Sequence, residues 1–288
     1  MSTFRPRRSV LYMPSSNERA LEKAKTIPCD ALILDLEDAV APDAKPGARG
    51  AACAAVQSGE YGRRELTIRI NGADTEWHDA DMAAACAAGP DAIVVPKVDS
   101  ADAVRTLVAA MERHGAPERT TLWAMVETPI AMLHAHEIAA ASDRLSVLVM
   151  GTNDLAKELY AEHVPGRQPL LTGLGLALLA ARATGKAILD GVYNDVKNAE
   201  GFAAECQQGR EMGFDGKTLI HPGQVAAANE AFAPSEKAVE DARGILAAWQ
   251  AGRGSGVVTY NGRMIENLHV ESAERILSIH DAIAALDA

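Results

Sequence analysis

Ala31-Leu32-Ile33-Leu34-Asp35-Leu36-Glu37-Asp38 is the stretch on which the fold turns. Its first four residues are apolar without a break, and carboxylates cluster where the run ends. A strand with one wet face would alternate apolar and polar residues, whereas a continuous run fits a parallel strand covered on both faces. Seven further runs of this kind punctuate the chain, at 9–13, 66–70, 92–96, 122–126, 147–150, 187–192 and 217–220. Stretches of helical period separate them, among them 17–25, 45–57, 100–114, 129–140 and 195–212. Start signals support these helices. Ser100 follows Asp99 ahead of one of them, and Thr128-Pro129 places a capping hydroxyl and an N1 proline ahead of another.

Eight βα units predict an α/β fold, a TIM-like (β/α)8 barrel. The rival is a doubly wound open sheet with an appended domain, but no GxGxxG follows the first run. Residues 1–232 are expected to form the barrel and 233–288 a C-terminal extension. That extension reads as a helix at 234–250, a glycine-rich stretch at 252–256, a hairpin turning at Asn261-Gly262 and a helix at 272–286.

The 288 residues carry 28 Lys+Arg and 39 Asp+Glu, a formal charge of −11, and 4% aromatics. That balance excludes a general nucleic-acid binder, which needs a basic face and stacking rings. Cys29, Cys53, Cys86 and Cys206 are scattered with no CxxC pair, so neither a disulfide framework nor a zinc knuckle is expected. The longest apolar run, 174–181, is interrupted by Gly175 and too short for a bilayer. With no signal-type segment after the basic N-terminus, a cytoplasmic protein with no membrane partner is expected.

In such a barrel chemistry sits at the C-terminal ends of the strands. Read in order, those ends supply Ser15 and Asn17, then Asp35, Glu37 and Asp38, then Arg69 and Asn71, Lys97, Glu127, Gly151-Thr152-Asn153-Asp154, Asp190, and His221. Many carboxylates without a His/Cys cluster point to a hard cation with oxygen ligands, Mg2+ or Mn2+. Glu127 and Asp154 are the best pair, because they end consecutive strands and each opens a helix. The competing reading has both acids capping helices or pairing with Arg69 and Lys97. Arg69 lies between Ile68 and Ile70 and so faces away from them, toward the barrel mouth. There it suits a carboxylate or an enolate, or else an ion pair with Glu37 or Asp35. A lysine Schiff base at Lys97 would not need these carboxylates, and no GxSxG supports a serine hydrolase.

Taken together, 8–14, Leu34-Asp35-Leu36-Glu37-Asp38 with Lys45, Arg69-Ile70-Asn71, Pro96-Lys97, Glu127-Thr128-Pro129, 151–155, 190–192 and 216–224 resemble the citrate lyase β-subunit-like CoA-ester lyases of the HpcH/HpaI aldolase superfamily. The resemblance implies a Mg2+-dependent enzyme that cleaves or forms a 3-hydroxyacyl-CoA thioester of malyl-, citramalyl- or citryl-CoA type. Glu127 and Asp154 would hold the metal, and Arg69 would bind substrate beside the developing enolate. Backbone N–H groups of Gly151, Thr152, Asn153 and Asp154 would hold a carboxylate. Glu266, or the acids around Glu37 and Asp38, would move the proton. Glu266 stands where the family's DGKMID lid pattern has Asp. CoA is expected near Ser15, Asn17 and Lys97, and the assembly is expected to be a homotrimer or hexamer. The alternatives are a CoA thioesterase, an aldolase acting on free hydroxy acids, and a citrate lyase β subunit served by an acyl-carrier protein.

Overall fold

The computed structural model describes residues 4–252 and 257–287. The glycine-rich stretch expected at 252–256 lies outside them apart from Gly252. Strands and helices alternate through the first 225 residues or so: β1 (Ser9–Pro14), α1 (Glu18–Ala24), β2 (Ala31–Asp35), α2 (Lys45–Ser58), β3 (Glu65–Arg69), α3 (His78–Ala88), β4 (Ala92–Val95), α4 (Ala101–Arg113), β5 (Thr121–Val126), α5 (Pro129–Leu133), α6 (Ala135–Ala140), β6 (Leu145–Met150), α7 (Thr152–Glu158), α8 (Leu171–Ala183), β7 (Ala187–Asp190), α9 (Ala199–Met212) and β8 (Gly216–Leu219). Then come α10 (Val225–Phe232), α11 (Glu236–Ala251), β9 (Val258–Tyr260), β10 (Arg263–Ile265) and α12 (Asn267–Asp287).

All eight barrel strands pair in parallel, and β1 bonds to both β2 and β8. The sheet is therefore closed, which removes the doubly wound rival. Alternation along each strand sends one set of side chains inward. Val10, Ala31, Ile33, Ala92, Val94, Trp123, Met125, Val147, Val149 and Leu189 fill the interior. Continuing the same parity to the strand ends gives Asp35, Arg69 and Glu127, so the inward rows change from apolar to charged at the mouth.

The capping signals operate as read. Ser100 Oγ accepts the Ala103 N–H and Thr128 Oγ1 accepts that of Ala131, each at 3.1 Å. The helix expected over 129–140 divides at His134, whose Nδ1 meets the Asp99 carbonyl at 3.1 Å and whose ψ is 10°. The helix expected from 195 begins at Ala199, because Asp195–Asn198 form a turn and Asn198 caps Gly201. At the other end of the strands, Arg7 and Arg8 are engaged in structural pairs with Glu65 and Asp30.

The chain divides into two compact units, Arg7–Ala231 and a second made of Met1–Pro6 with Phe232–Ala288. In the second unit β9 and β10 pair antiparallel, with Tyr260 opposite Arg263. Asn261 (φ 48°) and Gly262 (φ 75°) make the turn, both in the left-handed region that a type I′ hairpin requires. Among the described residues no helix is long and apolar enough to cross a membrane, and the four cysteines are free.

Candidate active site

A cavity of about 280 Å3 opens at the C-terminal ends of the barrel strands, with Tyr12, Asp35, Asp38, Arg69, Met125, Glu127, Gly151, Thr152, Asn153 and Asp154 in its wall. Glu127 directly follows β5 and is buried; Asp154 sits half-buried in the first turn of α7. The Lys97 backbone N–H donates to Glu127 Oε1 at 2.8 Å. Lys97 reaches that geometry by adopting φ 51°, a left-handed conformation uncommon for a residue with a side chain. Glu127's other oxygen lies against Gly151, where an added Cβ would stand 2.0 Å from Oε2. Gly191 does the same for Thr152, whose Oγ1 would be 2.4 Å from an added Cβ. Both glycines are thus required by close approach.

Burial pushes the Glu127 carboxyl up to about 7; the nearby Asp154 charge adds to this, while the Lys97 N–H opposes it. A buried carboxylate beside a second one, where the charges of Arg69 and Lys97 do not offset burial, is a setting that favours a cation. Among the described residues no group of three His, Cys, Asp or Glu is gathered for a metal. Two carboxylates suit Mg2+, which binds through one or two of them and keeps other positions for water and substrate. The donor set therefore fits that ion.

Arg69 is buried, and both readings of it are present in the geometry. Its Nε and Nη2 bond the two oxygens of Asp35 at 2.6 and 2.7 Å. Its Nη1 lies 3.3 Å from Asp38 Oδ2 and 2.6 Å from Glu37 Oε2. Asp35 also accepts the N–H groups of Glu37 and Ala39, which bends the chain after β2. One guanidinium thus serves three carboxylates. Burial alone would lower its pKa, but Asp35, Tyr12 and Glu37 together raise it further, so Arg69 stays charged. Glu37 bears the shortage: burial outweighs its pair with Arg69, aided by Asp38 and Glu127, and its carboxyl rises to about 8. Asp38 lines the cavity and is exposed; Glu37 is half-buried and is not in the cavity wall.

The other expected residues, Asn153 apart, are not in the wall of this cavity. Ser15 is fully buried with its hydroxyl unpartnered, so it presents no surface to a ligand. Asn17 caps α1 by accepting the Ala20 N–H. The Lys97 side chain is exposed, within the fields of Asp154, Glu37 and Glu127. Exposed Asn153 exchanges side-chain amide hydrogen bonds with Asn194. Asn71 is buried, accepting Lys45 Nζ and donating to Asp81. Asp190 follows inward-facing Leu189 and so faces the helices, where Arg167 Nη1 and Lys217 Nζ hold it at 2.6 and 3.0 Å. A larger cavity, about 390 Å3, has Arg167 and Glu205 in its wall, but these are ion-paired with Asp190 and Lys217. Glu266 belongs to the C-terminal unit, where its backbone N–H donates to His269 Nδ1 at 3.1 Å. Tyr12 was missed by the motif reading. The alternation that sends Val10 inward also sends Tyr12 inward, and that signal was available.

The profile of the family described as HpcH/HpaI aldolase/citrate lyase matches residues 8–222, and that of the C-C bond lyases of the TIM-barrel fold matches residues 174–282. The chain is 50% identical over 285 residues to a (3S)-malyl-CoA thioesterase of Cereibacter sphaeroides, covering 98% of each. It is 36% identical over 281 residues to the citrate lyase subunit beta of Escherichia coli, covering 95% of this chain and 93% of the other. The solved structure of the protein CitE from Mycobacterium tuberculosis, in complex with magnesium, acetoacetate and coenzyme A, superimposes with a TM-score of 0.76 at 31% identity, covering 93% of this chain and 96% of that one.

Proposed function

The chain belongs to the HpcH/HpaI aldolase/citrate lyase family, and on that premise we propose that it is a Mg2+-dependent carbon–carbon lyase acting on a 3-hydroxyacyl-CoA thioester of malyl-CoA type. One observation carries the reading: Glu127 and Asp154 share a cavity with Arg69 at the barrel mouth. Magnesium and coenzyme A in the CitE complex support the choice of cofactor and substrate class.

Glu127 and Asp154 would hold the ion, which when bound supplies Lewis-acid polarisation of a substrate oxygen. Lys97 N–H and Gly151 fix where Glu127 can point. Arg69 keeps positive charge over the mouth, with Nη1 as its donor least engaged by Asp35. Loss of the carbinol O–H proton, with its oxygen pair forming the new C=O as the bond to the carbon α to the thioester breaks, leaves an oxoacid and a thioester enolate, and the enolate carbon then takes up a proton to give the acyl-CoA. Exposed Asp38, on the cavity wall, is placed to exchange a proton there with solvent. The exposed Lys97 ammonium serves the CoA end. In this reading 1–232 is the catalytic barrel and 233–288 a lid or oligomerisation extension carrying Glu266, in a homotrimer or hexamer.

A second reading is favoured by the 50% identical relative: hydrolysis of the same thioester to free CoA and a hydroxy acid. Incubation with (3S)-malyl-CoA and Mg2+, with products identified by mass, separates the two. Acetyl-CoA and glyoxylate mark the lyase; free CoA and malate mark the thioesterase. Glu127→Gln and Asp154→Asn are each expected to abolish Mg2+-dependent turnover. Undiminished turnover in either variant would remove that residue from the metal site.

A further inference from the structure

The cavity wall holds a phenol to which the reading above gives no task. Tyr12 is half-buried, on the inward row of β1 above Val10 and opposite Ile33 of β2. The Arg69 guanidinium lies over its ring, with Cζ 4.8 Å from the centroid. Its hydroxyl meets Met125 Sδ at 3.9 Å, and a thioether is a weak acceptor.

Two other side-chain donors in this wall, Arg69 and Thr218, are more heavily engaged. Arg69 gives two N–H groups to Asp35 and divides Nη1 between Glu37 and Asp38. Thr218 Oγ1 donates to the Asp190 carbonyl at 3.1 Å. Thr152 is packed against Gly191. Asp35, Asp38, Glu127 and Asp154 can only accept when ionised. A thioester oxygen that gains negative charge among these acids needs a neutral or positive donor not held by a strong acceptor, and Tyr12 Oη–H, whose partner is a thioether, meets that need. Burial also raises the phenol well above its ordinary range, so it keeps its proton at neutral pH.

We propose that Tyr12 donates the hydrogen bond that stabilises the thioester oxygen as negative charge develops on it. The inference rests on the proposed acyl-CoA substrate but holds for either reaction. In cleavage, the carbinol O–H loses its proton to solvent and its oxygen pair forms the oxoacid's C=O, the electron pair of the breaking C–C bond moves into the enolate and onto the thioester oxygen, and the enolate carbon then takes up a proton. In hydrolysis, water adds to the carbonyl carbon, the π pair moves to the same oxygen, and collapse expels the CoA thiolate, which takes up a proton. Tyr12 keeps its own proton in both.

Tyr12→Phe removes only the hydroxyl and retains the ring under Arg69. The expected result is a loss of about 10²-fold in kcat and an equal loss in kcat/KM, as when an oxyanion donor acting only in the transition state is removed. Mg2+ affinity of the free protein, by calorimetric titration, and binding of a CoA thioether lacking the carbonyl are expected to be unchanged. Wild-type turnover with kcat retained within twofold in the variant would overturn the assignment alone. So would a rise in KM at constant kcat, which marks ground-state binding. Wild-type protein that turns over no 3-hydroxyacyl-CoA would overturn the substrate reading, and this inference with it.

Discussion

Single residues at the mouth do work that their chemical type does not announce. Gly151 provides space: a methyl group there collides with Glu127 Oε2. Gly151→Ala is therefore expected to weaken Mg2+ binding by at least tenfold while the protein still folds, checked by calorimetric titration alongside circular dichroism. Glu37 makes a pH prediction. Its folded value, about 8, lies above the ordinary 4.5, so between those values the folded chain binds a proton that the unfolded chain does not. Stability from this group is complete below pH 4.5 and is lost as pH rises toward 8. Urea denaturation of the metal-free protein at pH 5.5 and pH 8 should show this decline, and Glu37→Gln should shrink it. The acids at the strand ends were legible because each follows an apolar run. That Glu37 would be the one short of positive charge was not, since Asp35 takes Arg69's fork from 34 positions away.

At the scale of elements, local chemistry decided the outcome. Helix α4 starts at Ser100 because its hydroxyl meets an otherwise unbonded N–H. Ser100→Ala is expected to cost about 1 kcal/mol of stability, read from the urea midpoint, with turnover unchanged. The hairpin at Asn261-Gly262 formed where the turn signal stood. Errors arose where tertiary contacts overrode period, as at His134, whose bond to the Asp99 carbonyl accompanies the break between α5 and α6. Strand parity is the element-level rule that sorts the charged residues. It sends Tyr12, Arg69 and Glu127 to the interior, and Asp190 and Lys217 to the helix layer.

Over the whole barrel, closure brings β8 beside β1, and on its β7 side the pairing of Asp190 with Lys217 packs a buried ion cluster with Arg167 and Glu205 between sheet and helices. Lys217 and Asp190 are both 0% exposed, so removing Lys217 leaves Asp190 and Glu205 sharing Arg167 and one buried negative charge in excess. Lys217→Met is expected to destabilise the protein by about 3–5 kcal/mol, measured by equilibrium urea unfolding, through loss of a partner and not of volume. The acidity of −11 takes on a second meaning here. Some of the 39 acidic side chains gather at the mouth, where the proposed divalent cation would offset them, and others pair with Arg167 and Lys217 inside the wall.

The chain by itself determined the eight apolar runs, their helices, the caps, the hairpin and the acids at the strand ends. These follow from neighbours within a few positions, where propensity, period and turn chemistry operate. Only the tertiary structure decided which face each polar side chain took and which partner it met. Register and barrel closure join residues far apart in sequence: Arg69 with Asp35 and Tyr12, Lys97 with Glu127, Lys217 with Asp190. Electrostatic partners are chosen by distance in space, which no local pattern encodes.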